Sequence, residues 1–341
     1  MIRCRSLRHI LVAGFVLAAG LGVLHCAAAP HVAPDNLPAQ IADDAFWRMI
    51  SEFSEPGGYF RSDNFLSNEN AFQFVIPELS KRESPGGVYL GVGPEQNFTY
   101  LVALQPKLAF IIDIRRQNML EHLLYKALIE RSANRVEFLS RLFSREPPAD
   151  LGANPSVEAL FEAYQSAGPA DGLFEENLQM VKDQLIEHHG FSLSSDDLKS
   201  IEYVYRAFYN GGPDLNYSFL SGGRGGWGWF PTYAQLMTET DGRGAHRSYL
   251  ATEENFRSLR ELETHNVIVP LVGDFAGPKA IRSVGRYLKE HGATVTAFYT
   301  SNVEQYLFQQ NDDWKKFFSN VATLPIDKNS TFIRSDRKSV V

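Results

Sequence analysis

The chain of 341 residues has two cysteines, Cys4 and Cys26, both within its first thirty positions. A chain processed after that point keeps none, which excludes disulfides, thiol catalysis and cysteine-ligated zinc. Basic residues are also short: 33 Lys and Arg stand against 40 Asp and Glu, a formal charge of -7. Residues 1–29 hold three Arg and no acid, so their removal takes the charge to -10. A surface that acidic argues against nucleic acid or anionic lipid as a partner. The histidines are scattered, with no HExxH and no triad spacing, and the adjacent His188 and His189 point apart on a helix, so no metal is expected.

No apolar run reaches the roughly twenty residues of a membrane span. The longest, Ile10 to Leu24, follows Arg3, Arg5 and Arg8 and precedes Ala27, Ala28 and Ala29. That is the layout of a secretory signal peptide over residues 1–29. An uncleaved anchor helix is the alternative; both place the remainder outside the cytoplasm, periplasmic or extracellular. No stable span is expected once the leader is removed.

What is present is an alternation of strands and helices. Residues 30–42, rich in proline, read as a linker. Residues 43–142 read as an N-terminal helix followed by the first half of a mostly parallel, Rossmann-like α/β sheet. Within them the spacing predicts a strand at 88–92, a helix at 95–104, a strand at 108–114, a helix at 117–131 and a further strand at 135–140. Residues 143–232 read as a helical insertion ending in the glycine and aromatic loop "LSGGRGGWGWFPTY". Residues 233–341 return to α/β, with a helix at 253–264, strands at "NVIVPLVGD" and "TVTAFYT", and a tail whose "FFSNVATLP" and "STFIRS" suggest an edge hairpin.

The stretch "GVYLGVGPEQNFTYLVALQPKLAFIIDIRRQN" concentrates the chemistry. A glycine turn between strand and helix lets a ligand approach backbone, and an acid closing the second strand can accept ribose hydroxyls. Gly91, Gly93 and Asp113 meet that geometry, and Arg115 stands ready for an anionic group or for the neighbouring acid. Here the pattern resembles class I S-adenosylmethionine-dependent methyltransferases, over residues 87 to about 142 and more loosely 253–335. The resemblance implies an S-adenosylmethionine cofactor held by Gly91, Gly93, Asp113 and Arg115. The chain departs from those enzymes in carrying Tyr89-Leu90 before Gly91, where they usually have an acid. "SEPGGYFRSDNFLSNE", "GVGPEQNF", "DIRR", "VPLVGDFAG" and "SNVEQYLF" together also resemble an uncharacterised bacterial family with a methyltransferase-like fold, which implies the fold and no reaction.

Around the cassette, Asn64, Asn68 and Glu69 form a polar segment placed to cover a ligand or to cap its own turn. Ser301 and Asn302 follow a strand at the carboxyl edge, where open α/β sheets bind ligands, or cap the next helix. Asp274 shares that edge and is the candidate general base, with a loop acid as the alternative. Two functions remain open at this stage: an exported protein binding a small nucleoside-like or polar metabolite, with methyl transfer as its reaction if it is an enzyme, and a non-catalytic extracytoplasmic binding module.

Overall fold

The computed structural model describes residues 35–82, 85–149, 151–152, 154–217, 230–309 and 311–335. The leader expected at 1–29, the start of the linker and the glycine loop at 218–229 lie outside the described residues.

Five strands form one sheet: β1 (Val88–Gly91), β2 (Leu108–Asp113), β3 (Ile268–Val272), β4 (Val295–Ser301) and β5 (Thr331–Arg334). Their order is β3-β2-β1-β4-β5, and each of these pairings is parallel. Every residue of β1, β2 and β3 is buried, which is why these segments read as unbroken apolar runs instead of alternating. Pro270 is tolerated because β3 is an edge strand that pairs with β2 alone. The outer rim of β3 is covered: Val272 donates its N–H to Ser54 Oγ at 3.0 Å and accepts from the Glu55 N–H at 2.8 Å.

From β1 the chain steps outward to β2 and β3, then crosses back to β4 and β5. Right-handed crossovers place α3 (Gln96–Leu104) and α4 (Arg116–Glu130) on one face and α11 (Ala280–Glu290) on the other. The first helix, α1 (Asp43–Phe53), packs against β3 and α11, with Phe53 against the rings of Phe110 and Tyr287. α4 is buried from Asn118 to Ile129, because α5 (Arg135–Phe143), α8 (Ser195–Gly211) and α10 (Glu253–Thr264) pack on it as an outer layer. With α6 (Val157–Ser166), α7 (Leu173–Asp183) and α9 (Tyr233–Thr238), helices make up most of the described path between β2 and β3. The fold is α/β and Rossmann-like, with an all-parallel five-stranded sheet. Among the described residues no helix is long and apolar enough to cross a membrane.

Two expected elements differ. Residues 135–140 form part of α5, not a strand: the Asn134 side chain accepts from Glu137 N–H at 2.9 Å and starts a helix, and Phe138, Leu139, Leu142 and Phe143 form its buried face. The tail is no hairpin. Phe317 and Val321, four apart, are buried on α13 (Asp313–Val321), and β5 pairs parallel to β4 by itself.

Candidate functional site

The order of the strands reverses between β1 and β4, and open α/β sheets bind ligands outside the carboxyl ends of their strands at such a point. A cavity of about 200 Å³ lies there, lined by the turns after β1, β2, β3 and β4 and by residues 59–69. The segment that follows α1 runs across this edge. Gly58 N–H donates to the Ile114 carbonyl at 2.8 Å, Gly57 and Gly58 lie close against Arg116 and Ile114, and Ser67 N–H reaches Glu95 Oε1 at 3.4 Å.

The two glycines after β1 have different duties. A Cβ on Gly91 would collide with the Asn97 side chain. Asn97 Nδ2 donates to the carbonyls of Val92, Gly93 and Pro94 at 3.0, 3.2 and 2.7 Å, while Tyr89 donates its hydroxyl to Asn97 Oδ1 at 2.8 Å. His122 Nε2 meets the Gly93 carbonyl at 2.9 Å; a carbonyl only accepts, so that nitrogen carries the proton. Burial lowers the His122 pKa to about 4, keeping the ring neutral. Gly93 itself has φ of 80° and no atom within 4 Å of the place a Cβ would take. Its left-handed conformation favours glycine, and its open side faces the cavity.

Asp113 and Arg115 are brought together and both are buried. Asp113 Oδ1 accepts from Arg115 N–H at 2.9 Å and from Nε at 3.1 Å, and Oδ2 accepts from Nη2 at 3.2 Å. The same guanidinium also donates to the Asp63 carbonyl and to Asn118 Oδ1. Burial opposes its charge, but the Asp113 carboxylate outweighs burial and holds the Arg115 pKa above its ordinary value. A carboxylate accepts about four hydrogen bonds. Three are taken among the described residues, which leaves one position on Oδ2 there.

At the end of β4, Ser301 adopts φ of 50° and Asn64, across the cavity, adopts φ of 51°. Left-handed backbone at residues other than glycine is uncommon, more so for serine than for asparagine, and gathers at ligand sites. Ser301 Oγ donates to Glu69 Oε1, and Gln96 Nε2 approaches Glu69 Oε2 at 3.5 Å. Asn68 and Asn302 also line the cavity; Asn302 holds the N-cap position of α12 (Val303–Leu307) without a side-chain cap bond. Asp274 stands on the β3 side, half-buried, its Oδ1 accepting from Ala276 N–H at 2.8 Å. The nearby start of α11 is already capped: Glu55 Oε1 accepts from the amides of Lys279 and Ala280 at 2.7 and 2.8 Å.

All ten candidate residues contact this edge, nine of them directly as cavity lining; Gly91 acts from behind through Asn97. Other groups went unnoticed in the sequence. Glu95 is fully buried and its carboxyl is pushed up to about 8 by desolvation. Glu121 is also fully buried, and neither of its oxygens has a partner among the described residues. Burial, against the pull of Arg115, holds Glu121 well above the usual carboxylate range. No local signal set Glu121 apart, because α4 also carries Asn118, Lys126 and Glu130 among its apolar residues; the burial of the whole stretch from Asn118 to Ile129 does. The aromatics Tyr205, Phe208 and Tyr233 belong to the core, whereas Tyr217 lines the cavity and packs on Phe230. His188 and His189 lie far from it, in a separate polar cleft beside Asn266.

Residues 64–151 and 151–341 match a family described as a domain of unknown function, DUF7790. The chain belongs to the DUF7790 family. No curated protein matches it. The DUF7790 match begins at Asn64, so it includes the polar segment of the cavity as well as the sheet and the helices between β2 and β3.

Proposed function

We propose that the carboxyl-edge cavity binds a small nucleoside-like or polar metabolite, with S-adenosylmethionine as its cofactor and methyl transfer as its reaction. Gly93 carries this reading: the first strand-to-helix turn presents open backbone to a cavity at the point where the strand order reverses. Nucleotides bearing phosphate fit less well. The amides at the start of α11 are engaged by Glu55, and the guanidinium lining the cavity is engaged by Asp113.

The residues present suit the cofactor in part. Gly93 and Pro94 would lie along it, and the remaining position on Asp113 Oδ2 would accept one ribose hydroxyl. When bound, the cofactor supplies an electrophilic methyl group. Asp274, with Oδ1 held by the Ala276 amide, would take the acceptor's proton on its other oxygen. The leader at residues 1–29 supports export of the mature protein.

The Asp113–Arg115 pair favours a second reading, a non-catalytic extracytoplasmic binding module that keeps the sheet and the cavity. Calorimetry with S-adenosylmethionine, S-adenosylhomocysteine, adenosine and a nicotinamide dinucleotide separates the two. Adenosyl compounds are expected to bind and the dinucleotide to fail. If the adenosyl compounds give no heat, the cofactor assignment falls and the second reading stands.

A further inference from the structure

Given that the carboxyl-edge cavity is a ligand site, we infer that the ligand it selects at the β3 and β4 side is a cation, an amine in its ammonium form. Three carboxyl groups, Glu69, Asp113 and Asp274, and the Arg115 guanidinium line the cavity among the described residues. Arg115 is spent on Asp113, so that pair contributes no net charge. Glu69 and Asp274 are left: neither is in a close ion pair among the described residues, and only the Lys316 ammonium feels the Asp274 charge, at longer range. The hydrogen bonds that Glu69 does accept come from the neutral Ser301 and Gln96 side chains. The amides at the start of α11 are capped by Glu55.

The walls agree with that charge. Phe275 and Tyr299 are buried beneath the cavity, and Phe60 and Tyr306 meet edge to face at its side, with ring centroids 5.4 Å apart. Aromatic faces attract ammonium groups and offer nothing to phosphate or carboxylate. The left-handed Ser301 turns its hydroxyl onto Glu69, which fixes the carboxylate at the end of β4. A cavity with two carboxylates in no close ion pair among the described residues, and with ring walls, recognises a hydrogen-bond donor carrying positive charge.

The test uses two sets of matched probes on the whole chain, read by calorimetry: 5′-amino-5′-deoxyadenosine, adenosine and adenosine 5′-phosphate; and benzylamine, benzyl alcohol and benzoate. In at least one set the cation should bind about tenfold or more tighter than its neutral partner, with the anion weakest. Glu69→Gln, which still accepts from Ser301, should remove that preference without moving the melting temperature. Equal binding of cation and neutral partner, or preference for the anion, overturns the charge inference and leaves the cavity as a ligand site. No binding by any of the six overturns both.

Discussion

Glu95 shows how much one buried group can hold against the fold. Its folded pKa of about 8 lies above the ordinary 4.5, and desolvation is the cause. The folded state therefore holds a proton that the unfolded chain releases, and the group costs nothing below about pH 4.5. The cost grows as pH rises from there toward 8, at about 1.4 kcal/mol per pKa unit. Glu95→Gln should leave urea stability at pH 5 nearly unchanged and raise it at pH 8 by a few kcal/mol, on the order of that shift. Equal pH dependence in wild type and variant would show that the carboxyl is not desolvated. Asp113 is a less clean target. Removing its charge strands a buried guanidinium, at about 3–5 kcal/mol, so an Asp113→Asn variant reports on stability before it reports on ligand. Gly93 is better: Gly93→Ala places a methyl into open space, and its left-handed φ costs about 1–2 kcal/mol. That variant should stay folded and lose adenosyl binding in calorimetry; retained binding would show that the glycine serves the turn alone.

The helix α1 is fastened by a contact that no motif announced. His189 follows the π-helical turn Gln184–His188 and sits between two carboxylates, Nδ1 on Asp43 Oδ1 and Nε2 on Glu130 Oε2, both at 2.7 Å. Burial opposes its charge, but Glu130 and then Asp43 outweigh burial and raise its pKa above 6.5. Close to it are also the Gln184 amide, 3.3 Å from Nε2, the Lys126 ammonium on Glu130, the His188 ring and the stacked Phe191 ring. A raised histidine pKa contributes stability that is complete below about pH 6.5 and is lost as pH climbs through the folded value. His189→Gln should therefore cost about 1.5–3 kcal/mol at pH 6, the range for a charged hydrogen bond, and progressively less in alkaline buffer. Denaturation curves across pH 5.5–9 check this; a constant difference would mean that the ring is held neutral. In the sequence His188 and His189 read only as an adjacent pair pointing apart on a helix. The partners come from residues 43 and 130, and no local pattern links them. The same limit explains α5, where "RVEFLS" alternates like a strand while its burial follows the helical spacing of Phe138, Leu139 and Leu142.

For the whole molecule, the sheet was the most legible part. β1, β2 and β3 are apolar runs of strand length bounded by Gly, Pro or polar residues, and Gly93 and Asp113 mark the carboxyl edge in the sequence itself. The strand order was not legible, since it depends on the long return from β2 to β3 through α4 to α10. Nor was the state of the acid: the adjacency of Asp113 and Arg115 suggested pairing, but only their shared burial shows that the pair consumes most of the hydrogen-bonding capacity a ribose would need. The central claim is that ligands of this DUF7790 protein bind at the carboxyl edge between β1 and β4. Hydrogen–deuterium exchange of the whole chain, with and without saturating S-adenosylhomocysteine, tests that most directly. The account predicts slowed exchange at residues 91–97, 113–116 and 299–303, with the amino edge around Asn266 unchanged. Protection confined to other segments, or none anywhere at saturating ligand, would contradict it.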